Sequence, residues 1–137
     1  MRQHSIKTTY LIHKTLAENT TVNVLIPETN MYLLKNDMDS PYPYLVIKRT
    51  NITSERGNKD FIGDIVNFNI NVYSDKYEDG ANIADAVRLA LEGWILQDES
   101  IRLENIQLTS ASEDWSYDTC MQSMNFRAEV SNPIATT

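Results

Sequence analysis

One stretch of this chain constrains its fold more than any other, because the hydrophobic period changes partway along it. From Val66 to Val72 apolar side chains occupy alternate positions, the two-residue period of a strand with one buried face. The period then becomes helical, and the apolar stripe consists of Ile83, Ala84, Val87, Leu91, Trp94 and Ile95. Asp75, followed by Glu78, resembles a capping box at the start of this helix. We therefore predict a helix over roughly 76–96, packed on a sheet.

Periodicity along the rest of the chain predicts a first helix capped by Ser5 and ending near Asn19. The predicted strands are 22–26, 44–51, 64–73, 101–112 and 119–130, with a bulge or register change near Asn105 and a turn over 113–118. Residues 28–43 are predicted to be irregular, with the apolar run Met31–Leu34 lying against the core or a neighbouring subunit. Together these elements predict an α+β fold, a largely antiparallel four- to five-stranded sheet with two helices packed on one face.

The chain is predicted to form one domain over residues 1–137, with a frayed tail at 131–137. Its apolar runs are too short to span a bilayer, and its N-terminal segment lacks the apolar region of a signal peptide. A single cysteine permits no internal disulfide and fits a reducing compartment. We therefore expect no membrane association and no secretion.

Residue types that carry out chemistry are few and poorly spaced for it. His4 and His13 lie nine positions apart, and no metalloprotease, phosphate-binding or serine-hydrolase motif is present. Cys120 falls on the inward face of a predicted strand, where a buried, inert thiol is expected. Adjacent carboxylates occur only at predicted loops and helix ends, where such residues are usually solvated or capping. We predict no catalytic residue, no cofactor, no metal site and no enzymatic activity.

Charge is distributed unevenly along the chain, whose net charge is −7. Residues 1–74 carry eight Lys/Arg and seven Asp/Glu, whereas residues 75–137 carry four and twelve. An acidic chain without a basic cluster is poorly suited to gripping phosphates, so we expect no sequence-specific nucleic-acid binding. The acidic half either serves solubility or forms a face that repels DNA moving past it.

Four segments together resemble a known family. They are PYPYLVIKRT at 41–50, FNINVYSD at 68–75, ANIADAVRLAL at 81–91 and DWSYDTCMQSMNFRAEV at 114–130. In order and spacing they are similar to the tail-completion or tail-terminator proteins of long-tailed phages and prophages, over roughly residues 5–130. The tract 28–40 and the connection 51–63 depart from that pattern, and either could alter what the surface binds.

The resemblance implies a structural virion component made in the host cytoplasm and located in the tail or neck of the particle. Such proteins form a homo-oligomeric ring, expected to be a hexamer, that caps the tail tube and presents it to the head. The implied partners are other copies of the chain, the tail tube protein and the head–tail connector protein. Two alternatives stay open, namely another head–tail neck protein, or a small intracellular binding or adaptor domain.

Within this interpretation, two segments are candidate subunit interfaces. The polar connection 51–63, with Glu55, Arg56, Lys59 and Asp60, is predicted to reach toward a neighbouring subunit, although it could equally be an ordinary hairpin tip. Trp115 is predicted to lie in a turn, where an aromatic side chain docks locally or contacts a partner.

Overall fold

The described residues form three α-helices and six strands in the order α1–α2–β1–β2–β3–α3–β4–β5–β6. The computed structural model describes residues 3–36, 39–56 and 61–134, excepting the side chains of Arg56, Phe61 and Ile62. The helices are α1 (Thr8–Glu18), α2 (Thr20–Leu25) and α3 (Tyr77–Leu91). The strands are β1 (Met31–Leu33), β2 (Tyr44–Arg56), β3 (Phe61–Ser74), β4 (Leu96–Gln97), β5 (Arg102–Ser116) and β6 (Thr119–Ser131). None of the described helices is long and apolar enough to cross a membrane.

The strands form one mixed sheet in the order β1-β2-β3-β6-β5-β4. The four long strands β2, β3, β6 and β5 pair with one another antiparallel, whereas the short strand β1 pairs parallel with β2. The predicted α+β class is confirmed, but the predicted count of four to five strands is wrong. The additional strands β1 and β4 contain three and two residues, too few to produce a hydrophobic period.

Helices α1 and α3 cover one face of the sheet, and the core lies between these helices and the sheet. Alternate residues of the strands point into this core, as the predicted periodicity requires. They include Leu45, Ile47, Val66, Phe68, Ile70, Val72, Leu103, Met124, Phe126, Ala128 and Val130. Phe68 and Phe126 are fully buried opposite each other on β3 and β6, with ring centroids 5.2 Å apart. The opposite face of the sheet is covered by no helix in the described part of the chain.

The segment predicted as a strand at 22–26 is instead helix α2. Its β-branched residues favour a strand, but the Asn19 side chain accepts a hydrogen bond from the Val22 amide at 3.0 Å and starts a new helical turn. The Asn23 side-chain amide donates to the Asn19 carbonyl oxygen at 2.8 Å, and Val22 is fully buried. Capping and burial therefore override strand propensity here.

Helix α3 differs from its prediction at both ends. Its N-cap is Lys76, which makes no side-chain capping hydrogen bond, so the capping box predicted at Asp75 and Glu78 is wrong. The helix ends at Leu91, and Gly93 then adopts a positive φ of 81° that turns the chain away. Trp94, predicted on the buried stripe, therefore lies beyond the helix and is 61% exposed.

The bulge predicted near Asn105 is confirmed. Asn105 has a φ of 51°, and the pairing of β5 with β6 shifts register between Glu104 and Gln107. A second shift separates Leu108 from Ser110, and β5 then continues to Ser116. The turn predicted over 113–118 is therefore wrong in extent, because only 117 and 118 lie outside the strands.

Candidate protein–protein interface

Two long hairpins project from opposite ends of the sheet. The β2–β3 hairpin extends to Arg56 and Phe61, and the β5–β6 hairpin turns after Ser116. The sheet register fixes their opposite orientation, because Ser74, at the end of β3 far from Phe61, pairs with Cys120 beside the β5–β6 turn. Each hairpin therefore presents its own surface to the surroundings.

The residues predicted for the β2–β3 hairpin are only partly described. Glu55 is exposed on β2 and pairs with Gly63 across the hairpin. The backbone of Arg56 pairs with Phe61, but its side chain lies outside the description, as do Lys59 and Asp60 entirely. Their contact with a neighbouring subunit stays a prediction.

Trp115 lies at the opposite end of the sheet from Glu55, so these predicted residues belong to different surfaces. It is on strand β5, paired with Cys120, rather than in a turn as predicted, and it is 68% exposed. Tyr117, in the turn itself, is 91% exposed and has a φ of 55°. Two exposed aromatic side chains therefore lie at one hairpin tip, an unusual density of apolar surface for a mere connection.

A small hydrogen-bond network anchors this tip to the start of α3. Glu113 accepts hydrogen bonds from the Tyr77 hydroxyl at 2.8 Å and from the Gln122 side-chain amide at 3.0 Å. Hydrogen bonding by Gln122 and then Tyr77 lowers the pKa of Glu113, while the bond to Glu113 raises the pKa of Tyr77. These groups and Trp115 line an open groove in which Cys120 is half-buried, not buried as predicted. The hairpin tip is thus fixed relative to the helix layer.

A cluster of four tyrosines, which sequence analysis missed, lies next to this hairpin on the uncovered face of the sheet. Tyr44 stacks on Tyr73 with ring centroids 4.8 Å apart and on Tyr42 at 5.8 Å. Tyr32 meets Tyr44 edge to face at 6.1 Å. Tyr42 is hydrogen-bonded to Thr119 of the β5–β6 hairpin. The only available signal was that Tyr44 and Tyr73 occupy outward positions on neighbouring strands.

The centre of the uncovered face, around Asn69, Asn71, Ser123 and Asn125, is neutral and polar, as the alternation on β3 and β6 predicts. The Asn69 side-chain amide donates to the Ser123 hydroxyl and to the Asn125 side-chain oxygen, each at 3.0 Å. The side-chain oxygen of Asn71 is buried and finds no hydrogen-bond partner among the residues that the structure describes. Such a face suits either solvent or a packed neighbour.

The helix layer carries a further apolar surface, which includes Trp94, a residue that the sequence analysis placed on the buried stripe. Leu89, Trp94 and Val24 are 68%, 61% and 84% exposed, respectively, and the Trp94 indole nitrogen donates to the Leu89 carbonyl oxygen at 3.0 Å. Leu89 and Trp94 border a groove of about 380 Å³ between α1 and α3. In the described ranges, no group of three or more His, Cys, Asp or Glu side chains is placed to hold a metal ion.

Solved structures share this fold. A protein in the virion of a native gene transfer agent particle aligns over 88% of this chain and 92% of its own, with 20% identity and a TM-score of 0.76. A second solved protein, known only by a sequence identifier, aligns over 98% of this chain and 99% of its own, with 12% identity and a TM-score of 0.68. No curated protein sequence matches the chain significantly.

A sequence model of a known family, described as tail completion protein gp17, matches residues 11–131. That match covers nearly all the secondary structure, and it defines the chain as a structural protein of phage tails. The chain belongs to the tail completion protein gp17 family. The family resemblance indicated by the sequence is therefore confirmed.

Proposed function

We propose that this protein caps the phage tail tube as a homo-oligomeric ring and joins the tail to the head. The observation that carries this proposal is family membership over residues 11–131. The gene transfer agent protein with the same fold is part of a virion particle, which supports an assembled rather than a solitary state. Its partners would be other copies of the chain, the tube protein and the connector, and it would act without catalysis or a cofactor.

The distribution of exposed groups supports a ring. A cyclic assembly built head to tail needs two different contact surfaces on each copy. Here the two hairpins lie at opposite ends of the sheet, and the β5–β6 hairpin carries the exposed aromatic residues Trp115 and Tyr117 at its tip. Two unlike surfaces at opposite ends suit a heterologous contact better than a two-fold symmetric one.

Absolute mass in solution tests the ring. We expect light scattering on a size-exclusion column to give a closed oligomer of about six copies at high concentration, with a central hole in negative-stain images. Isolated tubes should shift the equilibrium toward this oligomer, because a bound partner stabilises the state that it recognises. A chain that stays monomeric both alone and with tubes would contradict the proposal.

Particle assembly tests the joining function. In a phage or prophage that encodes the chain, its deletion should leave filled heads and separate tails, and added purified protein should restore joining. If deletion instead leaves completed tails while the head lacks its connector layer, the chain is another neck protein. Normal particles without the chain would contradict any role in the virion.

A further inference from the structure

Each outermost long strand of the sheet has an outer edge that is paired over only part of its length. Strand β1 pairs with β2 only at Leu45–Ile47, and β4 pairs with β5 only at Arg102 and Leu103. In the described part of the chain, no strand pairs with the outer edge of β2 over 48–56 or of β5 over 109–116. We call these two stretches the β2 open segment and the β5 open segment.

The fold blocks both edges up to the point where the open segments begin. At the β5 edge, Ile106 accepts a hydrogen bond from the Gly93 amide at 3.0 Å, and the Leu108 amide donates to Glu92 at 2.7 Å. At the β2 edge, the Leu34 amide donates to the Ile47 carbonyl oxygen at 2.8 Å. Beyond these contacts, long unpaired edges are templates for pairing with another chain.

The two open segments carry opposite charge. The β2 open segment contains three basic residues, Lys48, Arg49 and Arg56, and one acidic residue, Glu55, so its net charge is positive. Lys35 lies shortly after the neighbouring strand β1. The β5 open segment has Glu113 and Asp114 and no basic residue. Lys48 and Asp114 are both exposed. The two open edges of the sheet are therefore complementary in charge. The partner that fits either edge is the other edge of a second copy.

The strand directions are compatible with such pairing. Strand β2 is antiparallel to β5 within the sheet, as the successive antiparallel pairs require. Rotation about a ring axis preserves each strand's direction along that axis. The β5 strand of one copy would therefore meet the β2 strand of the next copy as an antiparallel neighbour, the arrangement that already joins the four long strands.

The offset between the open segments also fits a closed ring. Lys48 lies level with Ser110 across the sheet, through Asn69 and Asn125, and the two open segments extend from that level in opposite directions. Along the strand direction, the midpoints of the two open segments are about six residues, or about 20 Å, apart. Across the sheet, the four long strands of one copy span about 19 Å. This corresponds to a strand tilt of about 45°, the upper end of the range in closed β-barrels.

We propose that copies of this chain join by antiparallel pairing of the β5 open segment of one copy with the β2 open segment of the next, which forms a continuous circular sheet. The proposal rests on the ring under Proposed function and names its subunit contact. In this arrangement β1 of one copy would lie just beyond the end of β5 of its neighbour. Both strands would then pair with β2, first β1 and then the neighbour's β5, without overlapping.

Engineered cysteines test the contact directly. In a Cys120→Ser background, Thr53→Cys or Thr50→Cys is combined with Ser112→Cys, all at exposed positions. Oxidation of the assembled protein should link copies into a ladder that ends at the closed ring, at least about tenfold faster than the control pair Glu18→Cys with Asp85→Cys on the helices, because assembled thiols have a high effective concentration. Mixing two single-cysteine chains should give only the dimer that joins position 50 or 53 to position 112.

Charge exchange provides the second test. Lys48→Glu or Asp114→Lys alone should weaken self-association by about twofold to fivefold per contact, and the chain with both changes should regain it. Strands β2 and β5 have irregular pairing at Thr50 and Thr109, and bulges are one way in which proteins keep a sheet edge from pairing. The cross-linking result therefore decides whether these edges pair with a second copy or are protected from pairing. A ring without edge cross-links overturns the strand pairing and leaves the proposed function intact. Absence of any ring, with or without tubes, overturns both. Cross-linking of the edges to tube protein instead of to a second copy overturns the self-pairing alone.

Discussion

At the scale of single residues, Gly80 shows how tertiary contacts decide a position that helix propensity alone would assign differently. It lies in the first turns of α3, where glycine is less favourable than alanine. A Cβ atom added there would lie 2.6 Å from the Ser74 hydroxyl oxygen. That hydroxyl is held in place because it donates to the Lys76 carbonyl oxygen at 2.7 Å, in a side chain that is 1% exposed. The helix can approach β3 here only because residue 80 has no side chain.

We therefore predict that Gly80→Ala destabilises the protein, by about 1–3 kcal/mol, although the same change stabilises an ordinary exposed helix. Chemical denaturation measures this effect. The double variant Ser74→Ala with Gly80→Ala removes the clashing hydroxyl and should recover part of the loss, beyond the sum of the single effects. An additive double variant, or a more stable Gly80→Ala, would show that the contact is not the reason for glycine.

Capping residues show what sequence can and cannot predict at this scale. Asn19 and Asp75 are both good N-cap residues, yet only Asn19 forms a capping hydrogen bond. At the start of α3 the chain is instead held by the Ser74 hydroxyl, which bonds to the Lys76 carbonyl oxygen. Which of several local hydrogen bonds forms depends on the direction in which the chain passes from β3 into α3. That direction is set by tertiary packing and cannot be read from a local sequence pattern.

At the scale of secondary-structure elements, the β5–β6 hairpin combines a fixed backbone with exposed aromatic side chains. Its strands pair without a break from Ser110 to Ser116, and Glu113 connects it to Tyr77 of α3. Trp115 and Tyr117 contribute little to the core because they are largely exposed. The tip of the hairpin therefore contributes exposed surface rather than buried core to the fold.

We predict that Trp115→Ala combined with Tyr117→Ala leaves the thermal midpoint nearly unchanged, because exposed side chains seldom contribute more than about 0.5 kcal/mol to stability. The same variant should lose most of its ability to assemble or to join tails. The control is Tyr10→Ala on α1, a tyrosine that is 65% exposed. Full assembly by the double variant would exclude the hairpin tip from the contacts of the particle.

The β2–β3 hairpin carries the charged residues that the sequence analysis assigned to a subunit contact. Reversal of Arg56 and Lys59 to Glu should weaken ring formation in light scattering, since it places negative charge where a neighbouring subunit is predicted. A matched control makes the same change in charge at Lys7 and Lys14, which are exposed in the helix layer. Unchanged assembly after reversal at 56 and 59 would contradict the predicted contact.

Element length explains which parts of the fold were predictable. Strands β3 and β6 and helix α3 span several periods of their hydrophobic pattern, and each was predicted as the right type of element. The predicted bounds are close for the strands, whereas α3 ends five residues earlier than predicted, at Leu91. Strands β1 and β4 are too short for any period, and α2 forms in a β-branched segment because Asn19 caps it and Val22 is buried. The tyrosine cluster could be predicted only from the pairing of β1, β2 and β3, and β1 was not predicted.

At the scale of the whole molecule, carboxylates on β5 and at the end of α3 connect β5 to its neighbours. Glu92 accepts hydrogen bonds from the Leu108 amide at 2.7 Å and from Arg88 at 2.9 Å. Glu104 accepts from Arg102 at 2.7 Å and from Ser131 at 2.9 Å. Together with Glu113 and its partners, these bonds fix β5 to α3, to β6 and to its own backbone neighbours.

These bonds make stability depend on pH in a defined direction. The pKa of Glu92 is lowered by the Leu108 amide and then by Arg88, and that of Glu104 is lowered by Arg102 and then by Ser131. A carboxyl whose folded pKa lies below its unfolded value stabilises the protein above the unfolded value. That contribution disappears as pH falls through the lowered folded value. The free energy of unfolding should therefore be flat near neutral pH and fall below about pH 4.5, the ordinary value for Glu.

Glu92→Gln isolates one of these contributions. The variant keeps the shape of the side chain but loses the charge, so near neutral pH it should be less stable by about 0.5–1 kcal/mol, a modest value because the group is partly exposed. Its stability should fall less steeply than that of the natural protein in acid, and the two denaturation curves should converge at low pH. Glu99→Gln, the same change at an exposed glutamate, is the matched control. Because Glu92 secures the point on β5 where the open segment begins, assembly should weaken over the same pH range. Parallel curves for Glu92→Gln and the natural protein would show that the carboxylate bond to Leu108 does not hold this edge.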